Sequence, residues 1–182
     1  MNRVKVLAAA TLTGALALLP TAAGAAELNG TAGDDTIRGT PDRDHIRGFK
    51  GDDDLSCRGG RDRVFGGNGD DRISGGAGAD ELTGGRGKNV IFAGRGNDYV
   101  HGGNRASTIF GRAGADFLES GQHRDTFFAG KGDDTIVLSH IGENNGRDSV
   151  YCGPGHDTVY VEVDSDDQIA KGCEDVIERE GH

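Results

Sequence analysis

The sequence predicts an all-β solenoid, a stack of very short strands around one thin aliphatic core. Three observations predict it. The first is a nine-residue period. Gly66 to Thr83 reads as two units laid end to end, each with two glycines, a spacer, a third glycine, a spacer, an aspartate, a spacer, one aliphatic residue and a spacer. The register runs unbroken from Gly30 to Val137, with units beginning at 30, 39, 48, 57, 66, 75, 84, 93, 102, 111, 120 and 129. The second is the eighth position, which is always apolar: Ile37, Ile46, Leu55, Val64, Ile73, Leu82, Ile91, Val100, Ile109, Leu118, Phe127 and Ile136. The third is composition. Glycine supplies 33 of 182 residues, aromatics 5%, and Trp is absent, against a usual glycine share of about 7%. A conventional core is hard to build from this, whereas periodic stacking lets small units share one.

Each unit reads as a turn followed by a three-residue strand. Glycine permits the left-handed angles and close backbone approach of the turn. The strand points its one apolar side chain inward and its neighbours outward. Such a strand cannot stand alone, so the units must stack.

Residues 1–26 read as a separate object, a secretory signal peptide. Arg3 and Lys5 form a basic start, Val6 to Leu19 is apolar apart from Thr and Gly, and Ala22-Ala23-Gly24-Ala25-Ala26 supplies small residues for cleavage after Ala25 or Ala26. The apolar run is short for a membrane span, and no membrane insertion is expected. The localisation expected is secreted, extracellular. Loss of Arg3 and Lys5 takes the formal charge from −10 to −12. A polyanion does not seek nucleic acid, whose binding rests on Lys and Arg, but it attracts cations.

Glu27 to Asn29 reads as a minimal N-terminal end. The repeat region proper extends over 27–151. After Val137 the register slips through a five-residue insertion, Leu138 to Gly142, and a looser unit ends Gly146-Arg147-Asp148-Ser149-Val150-Tyr151. A good unit follows, Cys152-Gly153-Pro154-Gly155-His156-Asp157-Thr158-Val159-Tyr160. Val161-Glu162-Val163 alternates like an edge strand. Repeat stacks need atypical ends, and 152–182 is read as the final repeat and C-terminal cap.

The nonapeptide resembles that of the RTX (repeats-in-toxin) calcium-binding family, strongly over 30–137 and loosely over 143–178. The resemblance implies a parallel β-roll, two repeats per 18-residue turn, with Ca2+ held between neighbouring turn loops by aspartates and loop carbonyls. Mapped onto this chain, the metal-binding residues are Asp35, Asp53 and Asp71 on one side and Asp62, Asp80, Asp98, Asp116 and Asp134 on the other. Gly66, Gly75, Gly78, Gly96, Gly114 and Gly132 are the loop glycines of those sites. Calcium takes six to eight oxygens, and about six well-formed sites are expected; magnesium prefers fewer protein ligands and a tight octahedron.

The 18-residue turn sorts the departures from the repeat. Units at 30, 48, 66, 84, 102 and 120 share one side. There Asn89 replaces the aspartate, Arg105 and Ser107 replace glycine and aspartate, and His123 replaces glycine. This side is expected to lose calcium from the middle of the roll onward. The other side has one weak unit, at 39, where Asp42 replaces a glycine and Pro41 precedes it. Phe92, Phe110 and Phe128 are 18 residues apart at the ninth position, so they should stack outward, one strand spacing apart, and could replace the lost metal as the glue of that side.

Cys152 and Cys173 both fall in the C-terminal segment and are the expected disulfide; pairings with Cys57 remain open, since three are possible. The six histidines form no His-x-x-x-His zinc motif, and neither a Gly-x-Ser-x-Gly elbow nor a phosphate-binding loop is present. Repeats and caps are expected to make up the whole mature chain, with no residues left for a catalytic domain, so no enzyme activity is expected. The function read is a secreted calcium-binding protein whose folding is coupled to extracellular calcium. In a second reading calcium is only structural, and the Phe92, Phe110 and Phe128 ladder mediates self-association or binds a cell-surface or matrix partner. A third, a hydrolase of an extracellular polymer, lacks a nucleophile or metal constellation. An ice-binding role lacks a regular threonine face.

Overall fold

The computed structural model describes residues 4–7, 17–18, 24–138, 147–162, 167–169 and 172–179. It is a right-through stack of two parallel sheets with no helix among the described residues. The strands are numbered in chain order and alternate between the sheets. The odd sheet holds β1 (Val4–Leu7), β3 (Ala26–Asn29), β5 (His45–Lys50), β7 (Arg63–Asn68), β9 (Glu81–Arg86), β11 (Tyr99–His101), β13 (Phe117–Glu119), β15 (Thr135–Val137), β17 (Thr158–Glu162) and β19 (Asp175–Arg179). The even sheet holds β2 (Ala17–Leu18), β4 (Thr36–Arg38), β6 (Asp54–Ser56), β8 (Arg72–Ala77), β10 (Val90–Arg95), β12 (Thr108–Ala113), β14 (Thr126–Lys131), β16 (Ser149–Tyr151) and β18 (Gln168–Ile169). This is the parallel β-roll, two repeats per turn.

The eighth-position residues form two columns. Ile37, Leu55, Ile73, Ile91, Ile109, Phe127 and Val150 lie in register on the even sheet. Leu28, Ile46, Val64, Leu82, Val100, Leu118, Ile136 and Val159 do so on the odd sheet. All are buried and together make the core. A core two side chains thick leaves each loop close to solvent, and it defines two edges where the chain crosses between sheets. The first edge carries the loops beginning at 30, 48, 66, 84, 102 and 120, which lead into the even sheet. The second carries those beginning at 39, 57, 75, 93, 111, 129 and 152, which lead into the odd sheet.

The five-residue insertion appears in the pairing. Phe128 faces Tyr151 and Val137 faces Tyr160, each 23 residues on instead of 18. Both ladders continue across the insertion; residues 139–146, which hold most of it, lie outside the described set. The C-terminal segment takes the form of further turns: β17 pairs with β19 and β16 with β18. Val176 continues the core column next to Val159, yet it is 48% exposed, since β19 is the terminal strand of its sheet. A disulfide joins Cys152 to Cys173, Cα to Cα 5.3 Å, and Cys57 is free and buried in the core.

Most of residues 1–26, expected to be a signal peptide, lie outside the described residues. Their strands β1 and β2 pair with β3 and β4 and continue both sheets at the N-terminal end. The expected aromatic stack is present and longer than expected. Phe92, Phe110, Phe128 and Tyr151 have successive ring centroids 4.9 Å apart and nearly parallel planes. That is the spacing of adjacent strands. Arg72 and Arg112 lay their guanidinium groups against Phe92, 4.6 and 4.9 Å from its centroid. The stack stands on the outer face of the even sheet, not in the first-edge loops. It therefore spans the same turns as Asn89, Ser107 and His123 without entering their loops.

Candidate metal centre

Each edge carries a ladder of sixth-position carboxylates. On the second edge, the backbone N–H of Asp44 donates to Asp62 Oδ1, Asp62 to Asp80, Asp80 to Asp98, Asp98 to Asp116, Asp116 to Asp134 and Asp134 to Asp157, all at 2.7–2.9 Å. On the first edge, Asp35 donates to Asp53 and Asp53 to Asp71 in the same way. Each accepting carboxylate thus reaches back one turn and spends one oxygen on the ladder. The rule follows from the period: 18 residues return the chain to the same edge, one strand spacing along.

The other oxygen is the informative one. Oδ2 of Asp53, Asp71, Asp62, Asp80, Asp98, Asp116, Asp134 and Asp157 is buried and accepts no hydrogen bond from the protein. Most of these side chains are only 1–3% exposed. A buried acceptor without a donor costs roughly 1–3 kcal/mol, more when charged. Recurrence on successive turns therefore calls for something positive at each. Burial, the largest cause, pushes the Asp53, Asp62, Asp98 and Asp134 carboxyls up to about 7, and those of Asp71 and Asp116 up to about 6. It raises Asp80 and Asp157 as well. The ladder N–H pulls each back down without cancelling the effect, and at Asp53, Asp62, Asp98 and Asp134 the neighbouring carboxylates push further up.

The orphaned oxygens converge with loop carbonyls. A Cβ built on Gly75 would stand 2.6 Å from Asp80 Oδ2 and 2.5 Å from the Ala93 carbonyl oxygen, and one on Gly66 would meet Asp71 Oδ2 and the Gly84 carbonyl oxygen as closely. These first-position glycines leave open a place that any side chain would fill. Gly78, Gly96, Gly114 and Gly132 all have positive φ, and a Cβ on any of them would collide with the carbonyl of the glycine one turn before. Among the described residues no group of three or more Asp, Glu, His or Cys side chains gathers at one point. The donor set on offer is therefore carbonyl oxygens with one or two carboxylates. That is an all-oxygen set suited to a hard cation of flexible geometry, which describes calcium.

Not every predicted ligand behaves alike. Asp35 keeps its place in the ladder, but its Oδ2 already accepts from the Thr31 N–H and hydroxyl. Thr40 does the same for Asp44. Asp157 lies in the segment expected as the final repeat and cap, yet it has the orphaned Oδ2 of a repeat carboxylate; its sixth position in the unit at 152 is the signal that identifies it. The threonines carry a signal too, each standing four residues before its aspartate where a glycine is usual.

The family model for the RTX calcium-binding nonapeptide repeat matches four times, at 29–64, 58–91, 65–100 and 101–136. The chain belongs to this family of calcium-binding repeats, and its cofactor is Ca2+. No curated protein matches the chain, and no solved structure does. The repeats are themselves a structural and calcium-binding element, typical of secreted bacterial proteins.

Proposed function

We propose that this is a secreted calcium-binding protein whose folding is coupled to extracellular calcium, with the roll itself as the functional unit and no catalytic role. The supporting observation is the unbroken row of buried, donorless carboxylate oxygens from Asp62 to Asp157. Without a cation these groups must be desolvated side by side, which opposes stacking of the turns; a divalent ion between adjacent loops removes that opposition. Asp53, Asp71, Asp62, Asp80, Asp98, Asp116, Asp134 and Asp157 would supply carboxylate oxygen, and the loops opened by glycines such as Gly66 and Gly75 would supply carbonyls. Extracellular calcium modules work at about 10⁻⁴–10⁻³ M, so the chain would stay loose where calcium is scarce and fold after export.

The leader reading agrees with this. Ala26 is buried, and its N–H donates to Asp44 Oδ1 at 2.8 Å. Cleavage after Ala25 would leave the new amino group beside that carboxylate, whereas cleavage after Ala26 would remove the donor. Intact mass of the exported chain decides between them. The function is tested by circular dichroism of residues 27–182, disulfide oxidised, during a calcium titration. A cooperative gain of β signal reversed by chelator is expected. A fully formed roll in chelator would show that the aliphatic columns and disulfide suffice, and calcium-coupled folding would be wrong.

A further inference from the structure

Resting on the calcium reading, we infer that the two edges load unequally: calcium runs along the second edge from Asp62 to Asp157, but on the first edge the run breaks off after Asp71 across the loops at 84, 102 and 120. From the loop at 84 through the loop at 120, the protein's own hydrogen-bond donors stand where the ions would. Asn89 shows how. It occupies the sixth position, and its Oδ1 accepts the Asp71 N–H at 3.0 Å, as a ladder carboxylate would. Its second atom is therefore Nδ2, which donates to the carbonyls of Gly87 and Gly102 at 3.2 and 3.3 Å. A Cβ on Gly84 would stand 2.5 Å from this nitrogen, just as one on Gly111 would stand 2.7 Å from Asp116 Oδ2. The cradle is the same. In one case an oxygen faces carbonyl oxygens with nothing between them, and in the other an amide brings its own hydrogens.

The next two loops repeat the outcome by other means. Ser107 Oγ lies 3.1 Å from the carbonyl oxygens of both Gly102 and Arg105 and gives its one hydrogen to either. Asp125 keeps its carboxylate, but Oδ1 accepts the Ser107 N–H at 2.6 Å and Oδ2 accepts the Gly121 N–H at 2.7 Å. Arg105 and His123 replace the fourth-position glycines of these loops, so the positive-φ glycine column that continues to Gly155 on the second edge does not pass through these two loops on the first. None of Asn89, Ser107 and Asp125 has a donorless buried oxygen, while the facing second-edge residues Asp80, Asp98, Asp116 and Asp134 all do.

The test counts calcium ions by native mass spectrometry across a calcium titration of the protein as purified, disulfide oxidised. Asn89→Asp combined with Ser107→Asp restores carboxylates to the first edge and should raise the count by about one or two ions. Asp116→Asn copies the Asn89 arrangement onto the second edge and should lower it. Asp125→Asn should leave it unchanged, which keeps the question answerable if the double variant does not fold. Hydrogen exchange in chelator gives an independent readout: the Asp71 and Ser107 amides should exchange more slowly than those of Asp80 and Asp98. Loss of ions in Asp125→Asn, or equal exchange on both edges, would overturn unequal loading. Absence of any bound calcium in the unaltered protein would instead overturn the calcium reading beneath it.

Discussion

The two edges of the roll are built from the same nine-residue unit and cross the same core, yet they satisfy their sixth positions differently. Along the second edge, Asp62, Asp80, Asp98, Asp116, Asp134 and Asp157 each hold one oxygen in a buried place with no donor. Along the first, Asn89, Ser107 and Asp125 satisfy the equivalent positions from within. A repeat fold therefore separates two properties that the repeat seems to bind together. Strand stacking depends on the apolar column and survives every substitution at the sixth position. On the proposed reading, dependence on an outside ion is decided loop by loop, by whether the sixth side chain or a neighbouring N–H or hydroxyl supplies a proton there.

The largest effect should come from pH in the absence of calcium. The folded carboxyls of Asp53, Asp62, Asp98 and Asp134 sit near 7, against an ordinary value of 3.8. A raised folded value means that the native state binds protons the unfolded chain has released. The stabilisation is complete below about pH 4 and is lost as pH rises through about 7. In chelator the roll should thus be more stable at pH 5 than at pH 8, and calcium should abolish the difference, as read by thermal unfolding at the two pH values. Greater stability at pH 8 in chelator would remove the electrostatic basis of the contrast.

Core truncation should ignore the contrast. Ile109→Ala and Leu118→Ala empty fully buried positions in the two columns, and each should cost about 2–5 kcal/mol at saturating calcium. A marked inequality between them would mean that the sheets, not the edges, differ. The covalent tie is local to one end of the second edge. Replacing Cys173 by Ser opens a loop with a sequence separation of 21 and should lower stability by about 3 kcal/mol in denaturant unfolding.

The edges themselves separate in a matched pair of variants. Asp98→Ala with Asp116→Ala should move the calcium midpoint of folding upward at least about tenfold, which corresponds to 1.4 kcal/mol. Asn89→Ala with Ser107→Ala should leave that midpoint nearly in place and lower stability in calcium and chelator alike, by about 1–3 kcal/mol for the carbonyls left unpaired. The smallest effect is expected at the stack. Phe110→Ala removes two ring contacts worth about 0.5–1.5 kcal/mol each beyond area, with no change in calcium midpoint, because the rings stand on the sheet face and not in the loops.

Much of this architecture is legible from residue order. The 18-residue return follows from paired nine-residue units, and the observed pairing of Ile73 with Ile91 and Leu82 with Val100 is what that return requires. Phe92, Phe110 and Phe128 were legible as a stack for the same reason. Tyr151 was not, because the insertion displaces it by five residues from the period, and only strand pairing restores it to the column. Asp35 looked like a ligand equal to the others. Its difference lies in a hydrogen bond to Thr31, a local contact that a period cannot report.

The sequence by itself determined the period, hence the parallel two-sheet roll, the apolar columns and the edge to which each aspartate belongs. These depend on spacing alone, and spacing is conserved when a chain coils regularly. Only the tertiary structure decided which of those aspartates keeps a buried oxygen that no protein donor meets. The lack arises between turns, where Oδ2 meets carbonyls from loops one turn apart; Thr31, Thr40 and Gly121 supply donors to Asp35, Asp44 and Asp125, and Asn89 and Ser107 bring donors in place of an aspartate. Donor geometry at about 3 Å is a property of the packed turns, and no reading of one repeat at a time contains it.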